Sequence, residues 1–311
     1  MTRVRKLIGL IAAASVGAGA ALAQFPSPVL PETASRVSDH VQVIFGFPNI
    51  AIVTGDRATL VIDTGLGSSN GAIAARVAKK LSKGGKLYLT TTHFHPEHAA
   101  GEAGFPPDTI LLRNAVQQQE LIEHQAELLA LFNRLNPEYA KLLQGVDNLR
   151  TPDLVFESEA MLDLGGATAR LMWLGAAHTK GDQLVFVEPD RTLISGDVVQ
   201  NKVVPGVAGE GGSFSSWLTV LEKLEPLKPL HVVPDHSRPG DGSLIAAERA
   251  FMLDMRSRAL AYKQQGLSAA DAGKRLSDDF KANYPEWASN PDWPNLNSIN
   301  GFVQRVYAEA R

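Results

Sequence analysis

Cysteine is absent from this 311-residue chain. That absence removes disulfides, thiolate metal ligands and thiol nucleophiles, so stability must come from core burial and from any ion the chain binds. A surplus of positive charge is also missing. Thirty basic residues face 33 acidic ones, a formal charge of −3, which leaves no electrostatic footprint for nucleic acid. Glycine and proline are spread rather than clustered and apolar content is ordinary, which excludes a collagen-like or low-complexity chain. The length suits one large two-layer domain, or a domain with an appendage.

The first residues do not read as part of a fold. Arg3, Arg5 and Lys6 form a basic start, Leu7 to Ala20 is an uncharged apolar and small-residue run, and Ala21-Leu22-Ala23 supplies a small-x-small cleavage signature. The run is short and Gln24-Phe25-Pro26 follows directly, which favours a signal peptide over 1–23 against a membrane anchor. Cleavage near Ala23-Gln24 removes three bases and no acids, taking the charge from −3 to −6 (27 bases against 33 acids). The expectation is a periplasmic or secreted protein with no stable membrane anchor.

Alternating apolar residues predict strands at Val41–Phe45, Ala51–Val53 and Thr59–Ile62, the last two joined as a hairpin by the turn Thr54-Gly55-Asp56-Arg57. Ile73, Val77 and Leu81 recur at helical spacing over 70–81, and a strand follows at Leu87–Thr91. The stretch 52–63 has a counterpart at 186–197: strand, Asp-Arg turn, strand, then an aspartate, Asp63 or Asp197, at the strand end. That repeat fits a sandwich of two related halves with both aspartates ending near one cleft. Strands are also read at Ala169–Leu174 and Gln183–Val187. Residues 114–145 read as helix-rich, with further helices at Ser243–Arg258, from Ser268 (as N-cap) to Phe280, and at Ile299–Ala310. The tail aromatics Tyr284, Trp287, Trp293 and Phe302 are expected to pack onto the domain.

The densest chemistry lies in His93-Phe94-His95-Pro96-Glu97-His98, where three of eight histidines and one carboxylate share six residues. Imidazole nitrogens and carboxylate oxygens are ligands of borderline divalent ions. In extended chain His93 and His95 point to one side, while a turn after Pro96 lets Glu97 and His98 face a second ion. His178 sits in a loop within 175–182, Asp197 ends a strand, and His236 follows the short apolar strand from His231. His40 and His124 read as solvated, His231 as structural and Asp235 as a turn carboxylate. Lys180 is a candidate for an acidic substrate group. The Gly-rich loop 204–213 is either a surface connector or a wall of the cleft.

In this order the segments resemble the metallo-β-lactamase superfamily of binuclear metallohydrolases, whose signature is HxHxDH followed by a distant His, Asp and His. The resemblance covers about 41–240. It implies a four-layer αββα sandwich over 24–245, with a helical insertion at about 114–150 and a C-terminal helical extension over 246–311. It also implies that His93, His95 and His178 hold one metal and that Glu97, His98 and His236 hold a second. Asp197 would bridge them and Asp63 would orient a ligand histidine from behind. Zinc, as two ions, is the expected cofactor, with iron or manganese accepted by the same ligands.

Glu97 stands where the family has aspartate. Three outcomes stay open: a weaker second site, a different preferred metal, or a Glu97 that acts as a base. A bound ion lowers the pKa of water from about 15.7 toward about 7, so hydrolysis needs no protein nucleophile. The resemblance therefore implies a hydrolase of a small molecule with Asp197 and Glu97 catalytic, and the export expected from the leader narrows the substrate to a β-lactam or lactone-like cyclic amide or ester. The rivals are an iron oxidoreductase of the sulfur-dioxygenase kind and a metal-binding member without catalysis.

Overall fold

The computed structural model describes residues 27–146, 150–207, 211–290 and 299–310. The leader read over 1–23 and Trp293 lie outside them. One sheet runs in chain order through β1 (Ser35–Arg36), β2 (Val41–Ile44), β3 (Ile50–Thr54), β4 (Ala58–Ile62), β5 (Lys86–Thr90), β6 (Ile110–Asn114) and β7 (Leu154–Phe156). Its first four strands pair antiparallel and the rest parallel. The other runs through β8 (Glu159–Asp163), β9 (Thr168–Met172), β10 (Leu184–Glu188), β11 (Thr192–Gly196) and β12 (His231–Pro234). Only its β11–β12 pair is parallel.

The expected four layers are present. Along β4, Ala58, Leu60 and Ile62 point between the sheets against Leu171, Val185 and Ile194, while Val61 points the other way. Both faces of this strand are buried, with Thr59 the one polar residue in it. Helix α1 (Ser68–Leu81) covers the outer face of the first sheet with Ala74, Val77 and Ala78. Lys79 and Lys80 in its last turn complement the helix dipole. After α2 (Pro96–Ala99), the insertion resolves into α3 (Ala115–Leu135) and α4 (Pro137–Leu142). Asn114 caps α3 by accepting the Gln117 N–H, and Asn136 caps α4 through the Glu138 N–H.

The outer face of the second sheet is covered by α5 (Phe214–Leu224) and α6 (Ser243–Gln264), with α7 (Ala269–Asn283), α8 (Pro285–Ala288) and α9 (Ile299–Glu309) behind them. Helix α6 continues beyond Arg258 because Ala259 is buried and Leu260 and Tyr262 pack on the same core. Ser268 caps α7 as its sequence predicts. Tyr284, Trp287 and Phe302 pack into this layer, and Trp287 stacks on Phe251 at 4.1 Å. Among the described residues, no helix is long and apolar enough to cross a membrane.

The two halves do repeat. β3, β4, α1 and β5 have the pairing and order of β10, β11, α5 and β12: an antiparallel pair, a covering helix, then a parallel strand. Asp63 and Asp197 directly follow the second strand of each unit.

Candidate metal centre

Four chain segments leave the ends of these strands and converge. Beyond β5 the chain passes through Thr91 and Thr92 to His93. His95 then caps the single turn of α2, accepting the N–H groups of His98 and Ala99 with its carbonyl, and Pro96 takes the first helical position. That turn directs Glu97 and His98 inward, both buried. His178 comes from the β9–β10 loop, Asp197 from the end of β11 and His236 from the end of β12. Gly196 has φ 56°, and a Cβ there would lie 2.9 Å from the Thr92 Cβ, so glycine lets the Asp197 turn close on the histidine run.

The predicted residues fall into two sets. In the first, His93, His95 and His178 bring their donor atoms together, with His93 Nε2 3.0 Å from His95 Nδ1. In the second, Glu97, His98 and His236 do the same, with 3.2 Å between the Nε2 atoms of His98 and His236. Asp197 lies between the sets. Its Oδ2 is 3.5 Å from His178 Nε2 and 4.0 Å from His93 Nε2, while Oδ1 is 3.4 Å from His236 Nε2. His178 and Asp197 keep 13% and 14% side-chain exposure against 0–1% for His98 and His93, so the centre opens on their side.

Burial and the neighbouring imidazoles hold His93 and His95 well below the ordinary histidine value, which leaves them neutral. Burial, opposed by Asp197, takes His236 to about 4. Burial would raise Asp197, but the imidazoles around it prevail and keep it ionised. Glu97 is pushed up to about 7 by burial, with His98 pulling the other way. His98 departs from the other histidines. Burial lowers it, yet Asp63, Asp235 and Glu97 together raise it well above its ordinary value.

The residues behind His98 explain that. Its Nδ1 is 3.1 Å from Asp63 Oδ2 and 3.3 Å from Asp235 Oδ2. The Thr92 hydroxyl lies 2.9 Å from the same oxygen of each carboxylate, and the Thr92 N–H donates to Asp63 Oδ1 at 2.7 Å. Asp63 therefore stands where the resemblance implies. Asp235 does not fit the turn-carboxylate reading: it is 1% exposed, and burial with Asp63 beside it raises its carboxyl well above the usual range. Its position directly before His236 was the available signal.

Other supports also escaped the sequence reading. Helix α3 clamps two site loops with Asn114, Gln117 and Glu120, a polar residue every three positions on a buried face. Asn114 donates to the Gly181 carbonyl, Gln117 exchanges hydrogen bonds with Thr91, and Glu120 accepts the N–H groups of Lys180 (3.0 Å) and Gly181 (2.7 Å). Gly181 is pressed so closely that a Cβ would lie 2.5 Å from the Gln117 backbone. The Gly-rich segment after Asp197 is joined to the centre as well, because the Gly206 carbonyl accepts from His178 Nδ1 at 2.5 Å, which leaves Nε2 facing Asp197. Gln200 reaches Asp197 Oδ1 at 2.8 Å.

The bland readings divide. His124 is exposed beside Glu123, as expected. His40 is not simply solvated: its backbone N–H and Nδ1 both meet Asp190, each at 2.7 Å. The spacing Gly67-Ser68-Ser69-Asn70-Gly71 matches a serine-nucleophile pattern, but Ser69 lies exposed in the first turn of α1 without a histidine partner. Phe47 packs on His236 at 4.9 Å and on Tyr139 of α4 at 6.0 Å, so the insertion supplies an aromatic wall. Burial, helped by Glu97, raises the Tyr139 phenol.

The donor set fits a divalent ion. His178 Nε2 and Glu97 Oε2 are buried without a hydrogen-bond partner, and His178 Nε2 and Glu97 Oε1 lie among other ligand-type atoms. Converging nitrogen lone pairs and carboxylate oxygens are costly to bury together unless a cation sits among them.

A model of the metallo-beta-lactamase superfamily matches residues 43–236, a span that holds both donor sets. The chain belongs to that superfamily. Its members are generally hydrolases and typically depend on metal, often zinc. Human acyl-coenzyme A thioesterase MBLAC2 is 26% identical over 238 residues, covering 66% of this superfamily member and 76% of the thioesterase. A linear primary-alkylsulfatase of Pseudomonas sp. is 24% identical over 241 residues, covering 68% of this chain and 45% of that enzyme. Among solved structures, a metallo-beta-lactamase from Pontibacter korlensis matches with TM-score 0.57 at 18% identity, covering 71% of this chain and 97% of that one. The sec-alkylsulfatase Pisa1 from Pseudomonas sp. matches with TM-score 0.65 at 14% identity, covering 89% and 50%. These structural likenesses concern the fold.

Proposed function

We propose that this superfamily member is an exported zinc-dependent hydrolase that opens a cyclic amide or ester of the β-lactam or lactone kind. The observation that carries the reading is the pair of donor sets sharing Asp197, with His178 Nε2 buried and unsatisfied beside it. In this reading His93, His95 and His178 hold one ion, Glu97, His98 and His236 hold the other, and Asp197 bridges. Bound ions supply Lewis acidity toward a carbonyl oxygen and make water acidic enough to attack at neutral pH.

The chain's own residues do the rest. Asp197 presents one oxygen to each set, which fixes the distance between the two halves of the reaction. Asp63 and Asp235 hold His98 from behind, so its ring cannot turn away as charge develops. Glu97 turns Oε1 toward the second set, 3.8 Å from His98 Nε2, and keeps Oε2 buried without a hydrogen-bond partner. Phe47 and Tyr139 give the substrate an apolar wall beside His236.

A second reading takes support from the thioesterase and alkylsulfatase similarities: an acyclic thioester or a primary alkyl sulfate, cleaved at the same centre. Export favours the first reading, since thioester substrates are mostly cytoplasmic. Metal content per chain, measured on protein purified without added metal, tests the proposal beside hydrolysis of nitrocefin, a lactone, an acyl thioester and an alkyl sulfate. About two zinc ions with chelator-sensitive turnover is the expected result. One iron without hydrolysis would move the assignment to an oxidoreductase, and metal without any turnover to a binding protein. Absence of metal would refute all three. Mass spectrometry of secreted protein should find Gln24 first, and an intact Met1 would remove the export claim.

A further inference from the structure

We propose that Gln200 is a positioning residue that divides the two oxygens of Asp197 between the two donor sets and so governs the second metal position. The role rests on the metal-dependent reading above. Gln200 is 6% exposed, and its side chain hydrogen-bonds to Gly196 and Asp197 at the end of β11 and to His236 and Ser237 beyond β12. Its Nε2 donates to Asp197 Oδ1 at 2.8 Å and lies 3.3 Å from the Gly196 carbonyl. Its Oε1 accepts from the Ser237 hydroxyl at 2.8 Å and from the His236 N–H at 3.3 Å.

This network fixes which end of the amide is which, because a flipped amide would set acceptor against acceptor and donor against donor. It also explains the residue type. Glutamate would turn an acceptor toward Asp197, and a hydrocarbon would hold neither loop. The contact is selective between the two sets. Gln200 grips Oδ1, the oxygen turned to His236, and leaves Oδ2 to His178 and His93. Through Oε1 the same side chain holds the backbone of His236, so one amide sets both the carboxylate and the last histidine of the second set. From behind, the buried Glu248 of α6 faces the Gln200 peptide N–H without closing to hydrogen-bond geometry. That helix lies beyond the part of the chain matched by the superfamily model.

The test is stepwise titration of the metal-stripped full chain with Co2+ and with Zn2+, read by the cobalt ligand-field spectrum and by calorimetry. Wild type should take two equivalents in two steps. Gln200→Leu should keep the first step within about threefold and weaken the second about 10–100-fold, as loss of a partner behind a ligand usually does. Ser237→Ala frees Oε1 from one anchor without touching Asp197, and should weaken the same second step by less than about tenfold. It carries the test if the leucine variant does not fold. Equal weakening of both steps, or an unchanged second step, overturns the proposal. A wild-type chain that takes no second equivalent overturns the two-ion reading itself, and Gln200 loses this role with it.

Discussion

Glu120 gives the sharpest test of how α3 supports the centre. Its carboxyl is 6% exposed and accepts the N–H groups of Lys180 and Gly181, in the loop that carries His178. Burial raises its pKa from 4.5 to about 7, with Asp182 adding to the rise and the two N–H groups opposing it. The folded chain therefore keeps this proton up to about pH 7, whereas the unfolded chain releases it near 4.5. Between those values the unfolded state binds fewer protons, so stability falls as pH rises, by about 1.4 kcal/mol per pH unit and about 3 kcal/mol in all. Glu120→Gln does not titrate, but its amide nitrogen cannot accept the second of the two N–H groups, so it starts below wild type at pH 5. It should then gain on wild type by about 2.5 kcal/mol between pH 5 and pH 8. Urea unfolding of the metal-stripped protein at four pH values measures this directly, since other titrations are common to both chains. A difference that stays flat with pH would refute the argument. So would a variant that loses ground as pH rises, because the two hydrogen bonds to the carboxylate would then outweigh its burial.

Two further outcomes follow from buried charge. Glu97→Asp restores the residue usual in the superfamily and should tighten the second metal equivalent; unchanged affinity and stoichiometry would show that Glu97 is not a ligand. Arg113 and Glu102 form an ion pair with both side chains fully buried, and Glu102 also accepts the Arg150 N–H at 3.0 Å. Arg113→Met alone should cost about 3–5 kcal/mol, because it leaves an unpaired buried carboxylate, whereas adding Glu102→Leu should recover most of the loss. Chemical denaturation compares the two, and a double variant no better than the single would refute the desolvation account.

What was legible in the sequence was what local chemistry writes down. The histidine run declares itself because so many ligand atoms in six residues serve no packing purpose, and strands such as β2 declare themselves because their pleat buries Val41 and Val43 and turns Gln42 away. What was illegible depends on partners far along the chain. Gln200 and Ser237 are ordinary polar residues until β11 and β12 pair in parallel and bring their loops together. Asn114, Gln117 and Glu120 show a three-residue spacing, but their face of α3 has no meaning without the loops it presses on. Asp235 was misread for the same reason, since only the fold puts Thr92 and His98 against it.

The internal repeat shows how similar strand ends came to differ in chemistry. Asp63 and Asp197 occupy the same place in two like units, each just beyond the second strand. Asp63 adopts φ 70° and turns inward, where the Thr92 N–H and hydroxyl and His98 Nδ1 surround it and leave it 0% exposed. In the other half the left-handed step falls one residue earlier, at Gly196, so Asp197 emerges beyond the turn and keeps contact with solvent. One aspartate thus supports a histidine and the other stands between two donor sets. The difference comes from where a single left-handed residue sits, which makes Gly196 as decisive for the bridge as the carboxylate. Any L side chain there would strain φ and meet Thr92 together, so the loss would fall on Asp197 and, through Thr92, on the Asp63 carboxylate behind His98.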